Sequence, residues 1–201
     1  MSPITHFLLS WGVANLLPES TKRDRAIITF AGVVPDLDGL GIVAEVLTRN
    51  SSAPLAWWTN YHHVLGHNVA GALVVMGAAA FLARFHWPTV FLAGVTFHLH
   101  LVCDGIGSRG PDGYSWPIPY LLPFSNAVQW AWSGQWALNA WQNMAITIGM
   151  LVVTFLLARQ RGYSPLEFVS AKGDQAFVAA LRKRFPGPAR SSTASRPPLR
   201  D

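Results

Sequence analysis

Apolar residues collect in five stretches, at 4–17, 26–47, 64–84, 87–103 and 136–158, separated by short polar turns and one long irregular segment. The last stretch, WALNAWQNMAITIGMLVVTFLLA, runs for 23 residues without a charge. That exceeds the ~20 residues a helix needs to cross a bilayer core. The third is uncharged from Asn68 to Ala83 and rich in Ala, Gly, Val and Leu, a small-residue composition that lets helices approach closely in lipid. The first, second and fourth are short or carry His, Asp and Glu, so each can be a buried or half-inserted helix instead of a full span. The pattern predicts an all-α, multi-span helical membrane protein with four to five membrane-embedded helices in hairpins. A soluble all-α domain with one terminal anchor is the competing reading.

The connections differ in composition from the stretches they join. ESTKRDR (19–25) and residues 84–88 read as tight helix-hairpin turns, whereas 105–135 is rich in Gly, Pro, Ser and Trp and has no helical period, which predicts a structured loop. Its tryptophans, Trp116, Trp130 and Trp132, with Trp136 just beyond, suit an interfacial aromatic belt or ordinary packing. Asp112 in GPDG reads as a turn residue. After the last span, Ser164-Pro165-Leu166-Glu167 has the form of a capping box with Pro at the first helical position, so a cytosolic helix is predicted to begin there. Phe177, Leu181 and Phe185 recur every four residues beside Arg182, Lys183 and Arg184. Such a basic amphipathic helix can lie on an anionic leaflet or stand in water. The tail from 186 to 201 has the Pro, Ser and Arg bias of disorder. The chain divides accordingly into a membrane-embedded helical domain (1–160), a basic amphipathic helix (161–185) and a disordered tail (186–201).

Composition supports lipid as a partner. Of 201 residues 51% are apolar and 12% charged, about half the ~25% charge that dresses a soluble domain. The net charge of +5 sits in turns and tail and forms no stripe, so no nucleic-acid partner is expected. Cys103 is the single cysteine, which excludes an intramolecular disulfide and a multi-cysteine zinc site. No Lys or Arg precedes the first apolar stretch, which argues against a cleaved signal peptide. If all five stretches cross, Lys22, Arg23, Arg25, Arg84, Arg159, Arg161 and Lys172 share one side and only Arg49 and Arg109 the other. Positive residues mark the cytoplasmic side, so the C-terminus is expected to be cytoplasmic.

Against this apolar background, six of the seven histidines cluster with aspartates: His6; Asp36 and Asp38 in PDLD; His62, His63 and His67 in HHVLGH; and His98, His100 and Asp104 in HLHLVCD. Ionisable groups in membrane segments are costly and mark function, paired with one another or with an ion. His100 and Asp104 are i, i+4 on a helix, as are His63 and His67, so each pair projects from one face towards a shared ion. Folding the third and fourth stretches back near residue 85 brings His67 level with about residue 104, and folding the first two near residue 21 brings His6 level with about residue 36, at ~1.5 Å per residue. Both hairpins put their ligands at one end, which the charge bias makes extracytoplasmic. The candidate metal ligands are His6, Asp36, Asp38, His62, His67, His100 and Asp104. Of adjacent His62 and His63, one can ligate while the other moves protons; His63 and Asp38 are the candidate proton-handling groups. His98 faces away from His100 and suits packing, His86 beside Trp87 an interface, and Cys103 packing.

In this order the motifs His6, PDLD (35–38), HHVLGHN (62–68) and HLVCD (100–104), followed by PIPYLLPFS (117–125), resemble the membrane-bound metal-dependent hydrolase family of bacterial inner-membrane proteins over about residues 1–130. The departures are GHN in place of THS, the missing Arg and Gly after the first His of the second motif, and Gly107 where that family tends to have Thr. The resemblance implies a multi-pass inner-membrane location and a distant likeness to zinc-dependent phospholipase C and P1-type nucleases, helical phosphoesterases with His/Asp metal clusters. A donor set of imidazoles and carboxylates suits Zn²⁺ or a similar divalent ion, one or two in number. The expected reaction is hydrolysis of a phosphoester by metal-activated water, with a phospholipid or lipid-linked phosphate as substrate. A non-catalytic protein with a structural metal site and a metal or proton transporter remain open; a transporter places its ligands near the bilayer midplane.

Overall fold

The computed structural model describes residues 1–84, 86–110 and 113–186. Asp112 and the tail beyond 186, read above as a turn and as disorder, lie outside the described residues. Helix α1 (Pro3–Ala14) opens where the Ser2 hydroxyl accepts the Thr5 N–H, with Pro in its first turn. Helix α2 (Lys22–Ala31) starts on a reciprocal capping box between Thr21 and Asp24. The ESTKRDR turn therefore gives its second half to a helix.

The stretch 26–47, expected as one helix, is broken. A 3-10 segment at Val34–Leu40 separates α2 from α3 (Gly41–Thr48), and the arm Val34–Thr48 is bent by 51° from α2. Pro35 sits in the first turn of that 3-10 segment, and a proline offers no N–H to continue the helix before it. A short α4 (Trp57–Tyr61) precedes a turn-rich segment, and α5 (Val69–Leu82) begins only at Asn68, whose side chain accepts the Gly71 N–H. Helix α6 (Trp87–Gly107) continues past the predicted end at 103, and α7 (Trp141–Arg161) begins after Trp136, later than predicted. Gly162 at φ +86 ends α7, its N–H donating to the Ala158 carbonyl.

The last helix also starts later than the capping-box motif suggests. Ser164 caps only a 3-10 turn, Pro165–Phe168, because Glu167 is drawn to Arg25. Ser170 then caps α8 (Ala171–Arg184). The described residues contain no strand, only two isolated bridges.

Helix α1 packs between α2 and α7, α2 packs on α6, and α6 on α5. Buried hydroxyls tie these contacts: Thr96 donates to the Ile28 carbonyl at 2.8 Å, and Thr5 meets Thr147 at 2.7 Å. The outside is apolar, with Leu73, Val74 and Phe81 on α5 and Met144, Ile148 and Val152 on α7 exposed. Such a surface suits hydrocarbon, where all backbone groups must be satisfied within the helix. By length and composition α6 and α7 can each cross a membrane, and the bent α2–α3 pair makes a third span if counted as one. Helices α1 and α5, at 12 and 14 residues, are shorter.

The two ends of the bundle differ in chemistry. At one, Arg161 donates to the Asn15 carbonyl, Thr89 to Asp24, and Arg25 to Glu167. At the other lie His6, Asp36, His67, His100 and Asp104.

Candidate metal centre

Asp104, in the last turns of α6 and 2% exposed, is the hub of that second end. Its Oδ1 is 3.1 Å from His6 Nε2 and also meets the Met1 amino group. Its Oδ2 is 3.1 Å from His100 Nε2, 3.4 Å from His67 Nε2 and 3.6 Å from His63 Nε2. Asp36 Oδ1 approaches His100 Nε2 at 3.7 Å. Two groups result, each with one donor atom per residue and all those atoms within 4.8 Å: His6, Asp36, His100 and Asp104, and His63, His67 and Asp104.

The ring orientations are fixed from behind. His100 Nδ1 lies 2.9 Å from the Gly32 carbonyl, which can only accept, so Nδ1 carries the proton and Nε2 presents a lone pair. His67 Nδ1 lies 3.1 Å from Asp38 Oδ2, which orients it in the same way. A backing acceptor of this kind fixes the tautomer of metal-binding histidines. The two Nε2 atoms face each other at 3.1 Å, and two lone pairs at that distance are relieved by a shared proton or cation. His6 Nδ1, His63 Nδ1 and Asp36 Oδ2 are buried and find no hydrogen-bond partner among the described residues. Donor type, burial and orientation all fit a divalent ion.

The second aspartate of PDLD has another place. Asp38 accepts from His62 Nδ1 at 2.7 Å, from His67 and from the Gly66 N–H at 3.0 Å. Gly66 is required there, because a Cβ would stand 2.6 Å from the Pro35 carbonyl oxygen. Asp38 and His62, read from sequence among the ligands, thus stand behind His67 and outside both groups, whereas His63, read as a proton shuttle, stands in the second. The helical spacing expected for His63 and His67 is corrected: both lie in the loop between α4 and α5, with His63 at φ +66. The i, i+4 pairing of His100 and Asp104 on α6 is observed. His98 bonds the Gly94 carbonyl and Tyr120, His86 bonds Thr89 at the opposite end, and Cys103 is buried outside both groups.

The loop histidines titrate in opposite directions. Burial pushes His63 well below its ordinary value. Burial also opposes the charge on His67, yet the carboxylates of Asp104 and Asp38 outweigh it and raise the ring to about 9.

Two adjoining open cavities, of about 340 and 560 Å³, reach the cluster and share Trp58, His62, His63 and Trp116 in their walls. Trp116, expected in an interfacial belt or in ordinary packing, lines the site, with its ring 4.8 Å from that of His63. The larger cavity adds Asn126 and Gln129, which no sequence pattern singles out. Trp58 likewise carried no signal beyond being aromatic.

A helical bundle with lipid-compatible flanks and a buried His/Asp cluster at one end defines a membrane protein with a candidate metal centre. The family model described as YdjM inner membrane protein matches residues 1–171. The chain belongs to that family, and the match spans every residue of the cluster. It carries membrane residence and no activity. No curated protein and no solved structure matches the chain.

Proposed function

We propose that this protein is a membrane-bound metal-dependent hydrolase acting on a phosphoester, with Zn²⁺ as the ion. The observation that supports it is the sharing of Asp104 by two His/Asp groups beside an open cleft. His6, Asp36, His100 and Asp104 would hold one ion, and His63, His67 and Asp104 a second. These residues would hold an ion whose Lewis acidity would bring the ionisation of a water towards neutral pH and would polarise a phosphoryl oxygen. Asp38 keeps the His67 lone pair aimed inward. His62 lines the cleft with Nδ1 engaged by Asp38, so its Nε2 can hold or pass a proton for the reacting groups.

The substrate belonging to this proposal is a phospholipid or lipid-linked phosphate. Leu40 lines the smaller cavity and is exposed, as are Val43 and Leu47 on the adjoining α3, a border suited to acyl chains. The extracytoplasmic placement of the cluster follows from the charge bias and belongs to this proposal. A structural metal site is the second reading, favoured by the near-complete burial of His67, His100 and Asp104. Transport fits less well, since the ligands gather at one end of the bundle.

Metal analysis of the purified protein together with a panel of phosphoesters tests the reading. Turnover should be lost in both Asp104→Ala and His67→Ala, with all zinc lost in the first, whose residue belongs to both groups, and half lost in the second, whose residue belongs to one. Bound metal without turnover on any phosphoester would assign the centre a structural role.

A further inference from the structure

Far from the His/Asp cluster, the C-terminal half of α7 and the helix α8 enclose an open groove of about 440 Å³ lined by Val152, Phe155, Leu156, Arg159, Leu181 and Phe185. Its walls are apolar and outward-facing: Phe155 and Leu156 are 44% and 48% exposed, and Phe185 57%. At its rim stand cations. Arg159 lines the groove, and its guanidinium donates to the Phe185 carbonyl at 3.3 Å, one bond among the described residues for a group with five N–H donors. Lys183 and Arg184 follow on α8, both exposed.

Among the described residues, the two carboxylates nearest to these cations in sequence, Asp174 and Glu167, are engaged elsewhere. Between residues 169 and 186 the one acid is Asp174, buried and accepting from the Ser164 N–H and hydroxyl at 2.7 and 2.6 Å. Glu167 is held by Arg25. Arg182 turns back to donate to the Arg159 and Gln160 carbonyls, which leaves Lys183 and Arg184 as the outward charges. An apolar trough continuous with the apolar outer surface of α7, edged by cations that form no ion pair among the described residues, complements a lipid that has both a tail and a negative head.

We propose that this groove binds an anionic phospholipid of the adjoining leaflet, with an acyl chain along Val152, Phe155, Leu156 and Leu181 and the phosphate at Arg159, Lys183 and Arg184. The site is independent of the hydrolase reading. It lies at the opposite end of the bundle, and its ligand is retained, not turned over. Each basic side chain near a membrane surface strengthens anionic-lipid binding by about fivefold, and exposed charges make that preference salt-sensitive.

Native mass spectrometry of the full-length protein in mild detergent, with phosphatidylglycerol and phosphatidylcholine at equal concentration, tests this. Phosphatidylglycerol should be retained in preference, and the preference should fall about fivefold for each charge removed in Arg159→Gln and in Lys183→Gln/Arg184→Gln. Helix content by circular dichroism should stay at the wild-type level in these variants, which checks their fold. Should a variant fail to fold, the thermal stabilisation of the wild type by phosphatidylglycerol over phosphatidylcholine, compared in low and high salt, gives the same reading. Equal retention of the two lipids, a preference untouched by the variants or by salt, or a dimer mass in place of bound lipid would each overturn the proposal.

Discussion

His67 and His100 meet Nε2 to Nε2 at 3.1 Å, each with its Nδ1 engaged behind it, one by Asp38 and the other by the Gly32 carbonyl. Both Nε2 atoms therefore point at the same small volume, beside Asp104 Oδ2. Nothing in apolar packing calls for that arrangement. Burying two imidazoles and a carboxylate together without a shared proton or cation leaves their polar atoms undersatisfied, at a cost of several kcal/mol.

Metal stoichiometry follows from the geometry. Asp104 belongs to both groups, His6 to one and His63 to the other. Asp104→Ala should strip the protein of zinc, whereas His6→Ala and His63→Ala should each halve its content, read by elemental analysis against protein concentration. A wild type holding one ion, lost alike in all three variants, would reduce the two groups to a single site.

Asp38 acts through His67. Asp38→Asn keeps the volume and a hydrogen bond to His67 but removes the carboxylate that fixes its tautomer, and changes to such backing groups typically weaken metal binding 10–100-fold. Competition with a chromophoric chelator should find a loss of that size with helix content unchanged. His62→Gln, one partner further out, should weaken binding much less while cutting turnover if His62 passes protons.

The site was legible in part because helices make depth calculable. Folding two hairpins at polar turns set His6 opposite Asp36 and His67 opposite Asp104, and the structure brings all four to one cluster. The i, i+4 rule served for His100 and Asp104, which share α6, and misled for His63 and His67, because Asn68 caps α5 and leaves both in a loop. That loop still delivers His63 through a left-handed turn at φ +66, a conformation no periodicity announces. The break after α2 was similarly hidden, since apolar residues continue on both sides of PDLD and Pro35 within it is the local signal of the bend. Trp58, Asn126 and Gln129 reach the cleft through long-range packing alone, which leaves no local pattern to read.

Metal loading should depend on pH through His67. Without an ion, the flanking carboxylates hold this ring protonated up to about 9 against an ordinary 6.5, so a divalent ion must displace a proton to ligate it. Apparent zinc affinity of chelator-stripped protein should then rise with pH, by up to tenfold per unit for one proton, and level off above about 9. The sign for folding is the reverse. In stripped protein the charged ring stabilises the fold fully below its unfolded value, and that contribution fades as pH rises through about 9. Calorimetric titration in buffers of different ionisation heat counts the released proton; an affinity flat across that range would remove His67 from the ligand set.

At the opposite end, Arg25 and Glu167 form a two-pronged pair, Nε to Oε1 at 2.7 Å and a terminal nitrogen to Oε2 at 2.6 Å, with the guanidinium 3.6 Å above the Tyr163 ring. Both residues are buried, and the pair pins the segment after α7 to the start of α2. Removing one partner strands a charge away from water, which costs about 3–5 kcal/mol, whereas replacing both by apolar groups is often neutral. Glu167→Ala should therefore lower the unfolding midpoint in detergent by many degrees, and Arg25→Met/Glu167→Met should recover most of the loss. Zinc content at room temperature should be unchanged in the double variant, because the pair and the metal ligands sit at opposite ends of the bundle. A single variant as stable as the wild type would mean that the pair contributes no more than an exposed one, and that the C-terminal segment is held by the contact of Phe168 with Phe7 and Phe30 instead.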